Sequence, residues 1–337
     1  MQDLSLLSLM FLSPSSLLFT RTVALRIVLV ASSPSLLISW IGLELNTLTF
    51  IPLILILTGQ QESKAAVTYF LTQTLASVVF LEGALLTYTS LTGRVAFSVI
   101  LGALFIKIGA APFHMWLPQV VEGLTWPALF LLFTVQKINP FLILSSISFN
   151  HSTLVGVALI SATIGSIIGL AQTQTRILLV FSSINHVGWI LVRMSLSFSL
   201  FLYYFALYRL LLLPLIMILK KFNIIHLNQS LNLGLRSSNQ LMVFVTLLSL
   251  GGLPPFLGFL PKWMVLQGLM STQLFFPAVV LVFMILLTLF YYLRLAISAF
   301  TLSKVLTYPA QGSTALSFGL VTFILISLFG FPIRALL

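Results

Sequence analysis

The stretch "SLGGLPPFLGFLPKW", Ser249–Trp263, interrupts an apolar run that extends over residues 239–270. A helix of about 20 residues already crosses the hydrocarbon core, so this run is too long for one straight span. Gly251, Gly252, Pro254 and Pro255 cannot all lie in a regular helix, because proline lacks the amide donor and clashes with the preceding turn. The stretch therefore predicts two half-helices separated by a break at membrane depth, with Lys262 just beyond it. Irregular backbone at that depth is tolerated only where protein buries it or where it lines a wet cavity.

The rest of the chain has the same character. Of its 337 residues, 59% are hydrophobic and 6% charged, and the mean hydropathy is +1.16. A soluble domain carries about 25% charged residues, so this sequence cannot build a water-exposed surface. Apolar runs of about 20 residues recur from end to end, which argues helices rather than the alternation of a β-barrel. The reading is an all-α, polytopic bundle of about eleven spans with broken helices, forming one domain over residues 1–337. The spans fall at 12–31, 34–58, 63–89, 94–117, 126–146, 152–171, 174–195, 197–219, 239–270, 274–299 and 314–336. Residues 220–238 form the longest loop and are expected to lie at the interface.

The net charge of +11 comes from basic residues scattered singly. They form no patch of the kind that binds nucleic acid, and membrane topology explains them better. Lys64, Arg176, Lys220, Lys221, Arg236 and Lys304 fall on the N-terminal side, against Arg94, Arg193 and Arg334 on the other. The positive-inside rule then puts the N-terminus in the negative compartment and the C-terminus outside. Cysteine is absent, which excludes disulfides, thiolate zinc sites and cysteine-ligated iron–sulfur clusters within this chain. The histidines His114, His151, His186 and His226 have no metal-ligand spacing. Neither a cleaved signal peptide nor a transit peptide is expected from the apolar, arginine-bearing start.

Four ionisable residues fall near the middle of spans: Glu44, Lys107, Lys137 and Lys262. Each costs about 2.5–3.5 kcal/mol at a helix centre on insertion scales. One such lysine is ordinarily read as snorkelling to the interface, but three central ones with a glutamate need another reason. Their surroundings supply it. Lys107 precedes Gly109–Pro112, where a half-helix ends and a cation is stabilised by the free carbonyls. Pro140 cannot donate to the carbonyl of Gln136 and so frees it beside Lys137. Lys262 follows the Gly-Pro break. A buried charge is held or released according to its neighbours' charges, which is what a proton relay requires. In "FSSINHVGW", Phe181–Trp189, Ser182 and His186 are four apart on one helix face, with Ser183 and Asn185 alongside, and His186 joins the set. His114, His151 and His226 are read as structural, as are Glu82, Arg94 and the surface residue Glu122.

The segments "WIGLELNTLTFIPL", "YFLTQTLAS", "KIGAAPFHMWLP", "VEGLTW", "QKINP", "FSSINHVGW" and "LSLGGLPPFLGFLPKW" occur in order over residues 40–263. Together they resemble the chain 2 family of NADH:ubiquinone oxidoreductase, mitochondrial respiratory complex I, in its shorter animal form. The resemblance implies an antiporter-like proton-translocating subunit of that enzyme. Its relay would comprise a switching Glu44–Lys107 pair, central Lys137, bridging His186 and outer Lys262. It implies no cofactor in this chain, since NADH, FMN, the iron–sulfur clusters and ubiquinone would reside in partner subunits. Partners would be the neighbouring antiporter-like subunits and lipid. Location would be the mitochondrial inner membrane, with the N-terminus in the matrix and the C-terminus in the intermembrane space. Gln119 departs from the family pattern, and so do Arg21 and Arg26 in the first span. None of the three is expected to touch the relay. Two other functions remain open to the residues alone: a free-standing cation/proton antiporter, and a structural connector whose charges are remnants.

Overall fold

The computed structural model describes residues 14–33, 35–55, 60–88, 93–147, 151–222, 224, 226, 237–254 and 256–301. Among them lie thirteen helices and no strand: α1 (Pro14–Ser32), α2 (Leu36–Ile54), α3 (Gln60–Leu86), α4 (Gly93–Ile108), α5 (Trp116–Glu122), α6 (Trp126–Phe133), α7 (Val135–Ser146), α8 (His151–Ala171), α9 (Thr175–Leu196), α10 (Phe198–Phe222), α11 (Ser237–Gly251), α12 (Phe259–Ser271) and α13 (Phe275–Thr301). Seven segments are long and apolar enough to cross a membrane: Leu36–Ile54, Gln60–Leu86, Trp126–Ser146, His151–Ala171, Thr175–Leu196, Phe198–Lys221 and Phe275–Arg294. They correspond to seven of the expected spans. The first expected span is α1, and the fourth and ninth are interrupted helices. The eleventh expected span and loop residues 227–236 lie outside the described residues.

Chain termination follows local chemistry. In α4 the helix stops at Gly109, which has φ +73 and sends its amide to the carbonyls of Phe105 and Ile106 at 3.0 and 3.1 Å. A left-handed residue at this place is the usual helix stop, and glycine adopts it without a Cβ penalty. The fifth expected span, 126–146, differs from a single helix. It breaks at Thr134 (φ −115, ψ −74), whose hydroxyl donates to the Phe130 carbonyl at 2.6 Å. Threonine can compete for a helix carbonyl in this way, and Pro140 within α7 weakens the ladder further.

The chain divides into two compact units, Met1–Gly109 with Glu122–Phe149 and Ala110–Val121 with Asn150–Leu337. In the first, α1 packs on α2 and α7, α2 on α3 and α7, and α4 on α3 and α7. In the second, α9 is the axis, with α8, α10 and α12 against it. Every residue of α9 from Leu178 to Arg193 is buried, which is why this helix can be polar on one side and still lie inside the protein. By contrast α13 turns Phe276, Val279, Phe283, Leu286 and Phe290 outward, a stripe at helical spacing suited to lipid.

The α8–α9 contact depends on small residues. A Cβ added at Gly188 would stand 2.6 Å from the Ala158 carbonyl oxygen, and one at Gly165 2.6 Å from the Asn185 amide nitrogen. Packing between membrane helices comes largely from such close approach. Gly188→Ala should therefore push α8 from α9 and cost about 1–3 kcal/mol. Gly156→Ala, whose Cβ meets nothing within 4 Å, should be neutral. Thermal unfolding in detergent checks this, and equal effects at the two sites would remove the packing explanation.

Candidate functional site

In the first unit, α2 carries Glu44, α4 carries Lys107 in its last turn and α7 carries Lys137. The lysines are almost fully buried, at 6% and 3% exposure. Lys107 lies at the helix end that the sequence implied. Its Nζ, however, donates across to the Gln73 carbonyl on α3, at 3.2 Å. Glu44 is half-buried. It acts on Lys107 electrostatically, yet its inner oxygen Oε2 has no hydrogen-bond partner. The two residues thus interact through space, without a contact ion pair. Lys137 Nζ has no hydrogen-bond partner among the described residues and lies 5.7 Å from the centre of the Phe133 ring.

The carbonyl freed by Pro140 is taken up. Asn46 Nδ2 donates to the Gln136 carbonyl at 3.4 Å, and Asn139 Nδ2 donates to the Gly42 carbonyl at 3.4 Å. The Tyr69 hydroxyl donates to Gln136 Oε1, also at 3.4 Å. Arg26 on α1 is wholly buried. Its Nη1 donates to the Asn46 carbonyl at 3.3 Å and to Thr49 Oγ1 at 2.9 Å. The sequence sets Arg26 apart from the relay, and these two bonds go to Asn46 and Thr49 rather than to a relay residue. Arg21, by contrast, is exposed.

In the second unit, Lys262 closes the interruption between α11 and α12. Its Nζ donates to the carbonyls of Gly251 at 2.6 Å and Leu250 at 3.2 Å, the last two residues of α11 to lack helical donors. Gly252, at φ +79, turns the chain there, and its amide bonds Leu248 and Ser249. A cation at a helix C-terminus meets the negative end of the dipole. The predicted arrangement of break and lysine is what the structure contains.

His186, at 5% exposure, has Nδ1 3.1 Å from the Tyr204 hydroxyl, and its ring centre lies 4.7 Å from that of Tyr208. Ser182 and Ser183 send their hydroxyls back to the carbonyls of Leu179 and Val180, at 2.8 Å each. The polar side of α9 is real: Ser183 bonds within its own helix, Ser182 also engages the Tyr292 side chain on α13, and His186 pairs with a tyrosine on α10. The sequence places Gln136 beside Lys137 but does not bring in Tyr69 or Tyr204. Tyr69 and Gln73 stand four apart in "YFLTQTLAS", a helical-face signal that was available. Tyr204 and Tyr208, four apart on α10, carry the same signal, although it does not say which helix they face. His114 is buried with Nδ1 3.2 Å from the Pro112 carbonyl, consistent with a structural role, while His151 and His226 are exposed. Arg193, read as an outer-loop charge, is instead 1% exposed and donates to the Met264 carbonyl at 2.6 Å.

The family described as NADH:quinone oxidoreductase/Mrp antiporter, TM, matches residues 33–288. The NADH-ubiquinone oxidoreductase chain 2 of Anopheles gambiae is 42% identical over 284 residues, 81% of this chain and 82% of that one. Its counterpart in Branchiostoma lanceolatum is 39% identical over 298 residues, 85% of each chain. A chain of respiratory complex I from Thermus thermophilus superimposes with a TM-score of 0.80 at 25% identity, over 92% of this chain and 75% of that one. The chain therefore belongs to the NADH:quinone oxidoreductase/Mrp antiporter transmembrane family, within its NADH-ubiquinone oxidoreductase chain 2 branch.

Proposed function

We propose that this chain is a proton-translocating membrane subunit of respiratory complex I whose protons are handled by Glu44, Lys107, Lys137, His186 and Lys262. One observation carries the reading. Each of the three buried lysines stands within a few residues of a helix interruption: Lys107 before Gly109, Lys137 after Thr134, and Lys262 after the 252–258 interruption that Gly252 opens. Interrupted helices put carbonyl ends, and room for water, beside the ammonium groups. The three differ in what holds their charge. Lys262 rests on two carbonyls, Lys107 on one and on the field of Glu44, and Lys137 on an aromatic ring alone among the described residues. The charge of Lys137 is therefore the one most governed by charges arriving nearby. His186 accepts or donates through an imidazole already bonded to the Tyr204 phenol. Moving one proton against ~100 mV takes ~2.3 kcal/mol, a scale that shifts of a single buried charge reach. Quinone reduction in other subunits supplies the drive.

The setting that fits is the mitochondrial inner membrane, with the N-terminus on the matrix side. The α9 and α10 ends that carry Arg176, Lys220 and Lys221 lie together. Thr175 Oγ1 donates to the Ile224 carbonyl at 2.7 Å, and Gln174 bridges His226. With Arg193 buried, fewer free cations remain for the opposite side, which strengthens the charge bias. An impermeant amine reagent should spare Lys220 and Lys221 in intact mitoplasts and reach them in inverted vesicles. Labelling in mitoplasts would reverse the topology.

Lys137→Met removes the titrating group at constant bulk. It should abolish pumping through this subunit and slow NADH oxidation in the assembled, coupled enzyme by about ten-fold, ~1.4 kcal/mol. Glu44→Gln should be milder. Combined with Lys107→Met it should do less damage than the two singly, because both act on one pair. Proton uptake and NADH oxidation in sealed vesicles are the measurements, and strict additivity would uncouple Glu44 from Lys107.

At the third lysine, a Cβ at residue 252 would meet Lys262 Cδ at 2.8 Å and Nζ at 3.1 Å. Gly252→Ala should displace the ammonium from its carbonyls, lowering the proton-to-electron ratio while the enzyme still assembles. An unchanged ratio would show that this seat is not needed for pumping.

A further inference from the structure

The guanidinium of Arg26 is a full charge inside the first unit that the relay just proposed does not use. Helix α1 packs against α2 and α7. The only ionisable side chain on α2 is Glu44, and the only one on α7 is Lys137. Arg26 is 0% exposed and is fastened to α2 through the Asn46 carbonyl and Thr49. The same Asn46 holds, through Nδ2, the Gln136 carbonyl that precedes Lys137. Tyr69 on α3, bonded to the Gln136 side chain, interacts electrostatically with both Arg26 and Glu44. Besides Tyr69, the ionisable groups of this interior are Glu44, Lys107 and Lys137, while Arg21 on the same helix is exposed.

We infer that Arg26 is a fixed-charge tuning residue of the Glu44–Lys107–Lys137 group, setting the pH at which that group gives up its protons. The inference rests on those three residues being the proton carriers. A guanidinium does not release its proton in the working range, so its charge is constant through the cycle while the carriers' charges change. A constant cation makes every neighbouring group easier to deprotonate, and the effect is large where little water screens it. Its hydrogen bonds serve to hold that charge at one place beside α2.

The test separates charge from anchorage in the assembled enzyme. Arg26→Gln keeps an amide donor for Asn46 and Thr49 but loses the charge, whereas Arg26→Lys keeps the charge. NADH oxidation and proton uptake are measured against pH in sealed vesicles, together with the amount of assembled enzyme. The Gln variant should assemble and move the whole pH profile toward alkali by about half a unit or more, and the Lys variant should leave it in place. A Gln profile that superimposes on that of the unsubstituted enzyme would overturn the inference. So would loss of the Gln variant from the assembled enzyme, which would make Arg26 a clamp between α1 and α2. Lys137→Met run beside them marks the other failure: if that variant pumps normally, the carriers were misassigned and Arg26 has nothing to tune.

Discussion

A backbone carbonyl left without a donor inside hydrocarbon costs several kcal/mol, and the architecture of this chain follows from how it meets that cost. Three helical runs stop or break within the apolar interior, after Ile108, at Thr134 and after Gly251. Each break leaves carbonyls that the helix itself cannot satisfy. The groups that answer them are threonine, asparagine and glycine amides, and lysine ammoniums. At Lys262 one ammonium satisfies two carbonyls that would otherwise be orphaned. The buried cation and the broken helix are each unfavourable alone, and each is the remedy for the other.

The second unit solves a related problem by burial. His186 is held in a buried position because α9 is enclosed from Leu178 to Arg193. That enclosure requires α8 to come close, which is why glycines face backbone atoms at 165 and 188. Packing and chemistry share one helix here. A substitution made on the apolar side of α9 moves the imidazole as surely as one made on its polar side.

Much of this was legible in the sequence, for a physical reason. Gly-Gly-Leu-Pro-Pro and Gly-Ala-Ala-Pro are local statements about backbone, and a lysine beside either is a local anomaly of charge. The span positions, the end of α4 and the seat of Lys262 could therefore be read directly. The break at Thr134 could not, because no proline or glycine stands at it and the nearest, Pro140, lies six residues beyond. Nor could the surroundings of Arg26, whose bonds reach 20 and 23 residues along the chain, or the Tyr204 partner of His186, 18 residues away. Arg193 misled for the same reason: a cation at a helix end looks like a loop charge until another helix offers it a carbonyl. Contacts between helices are settled by tertiary packing, and hydropathy does not see them.

The seat of Lys262 ties together two quantities that are usually separate, the winding of a helix and the charge of a side chain. The ammonium occupies the carbonyls that another turn of α11 would use, so it behaves as the final rung of that helix. Without its charge the amine would hold those oxygens less firmly, so the end of α11, which rests against α10 and α13, depends on a side chain for its last rung.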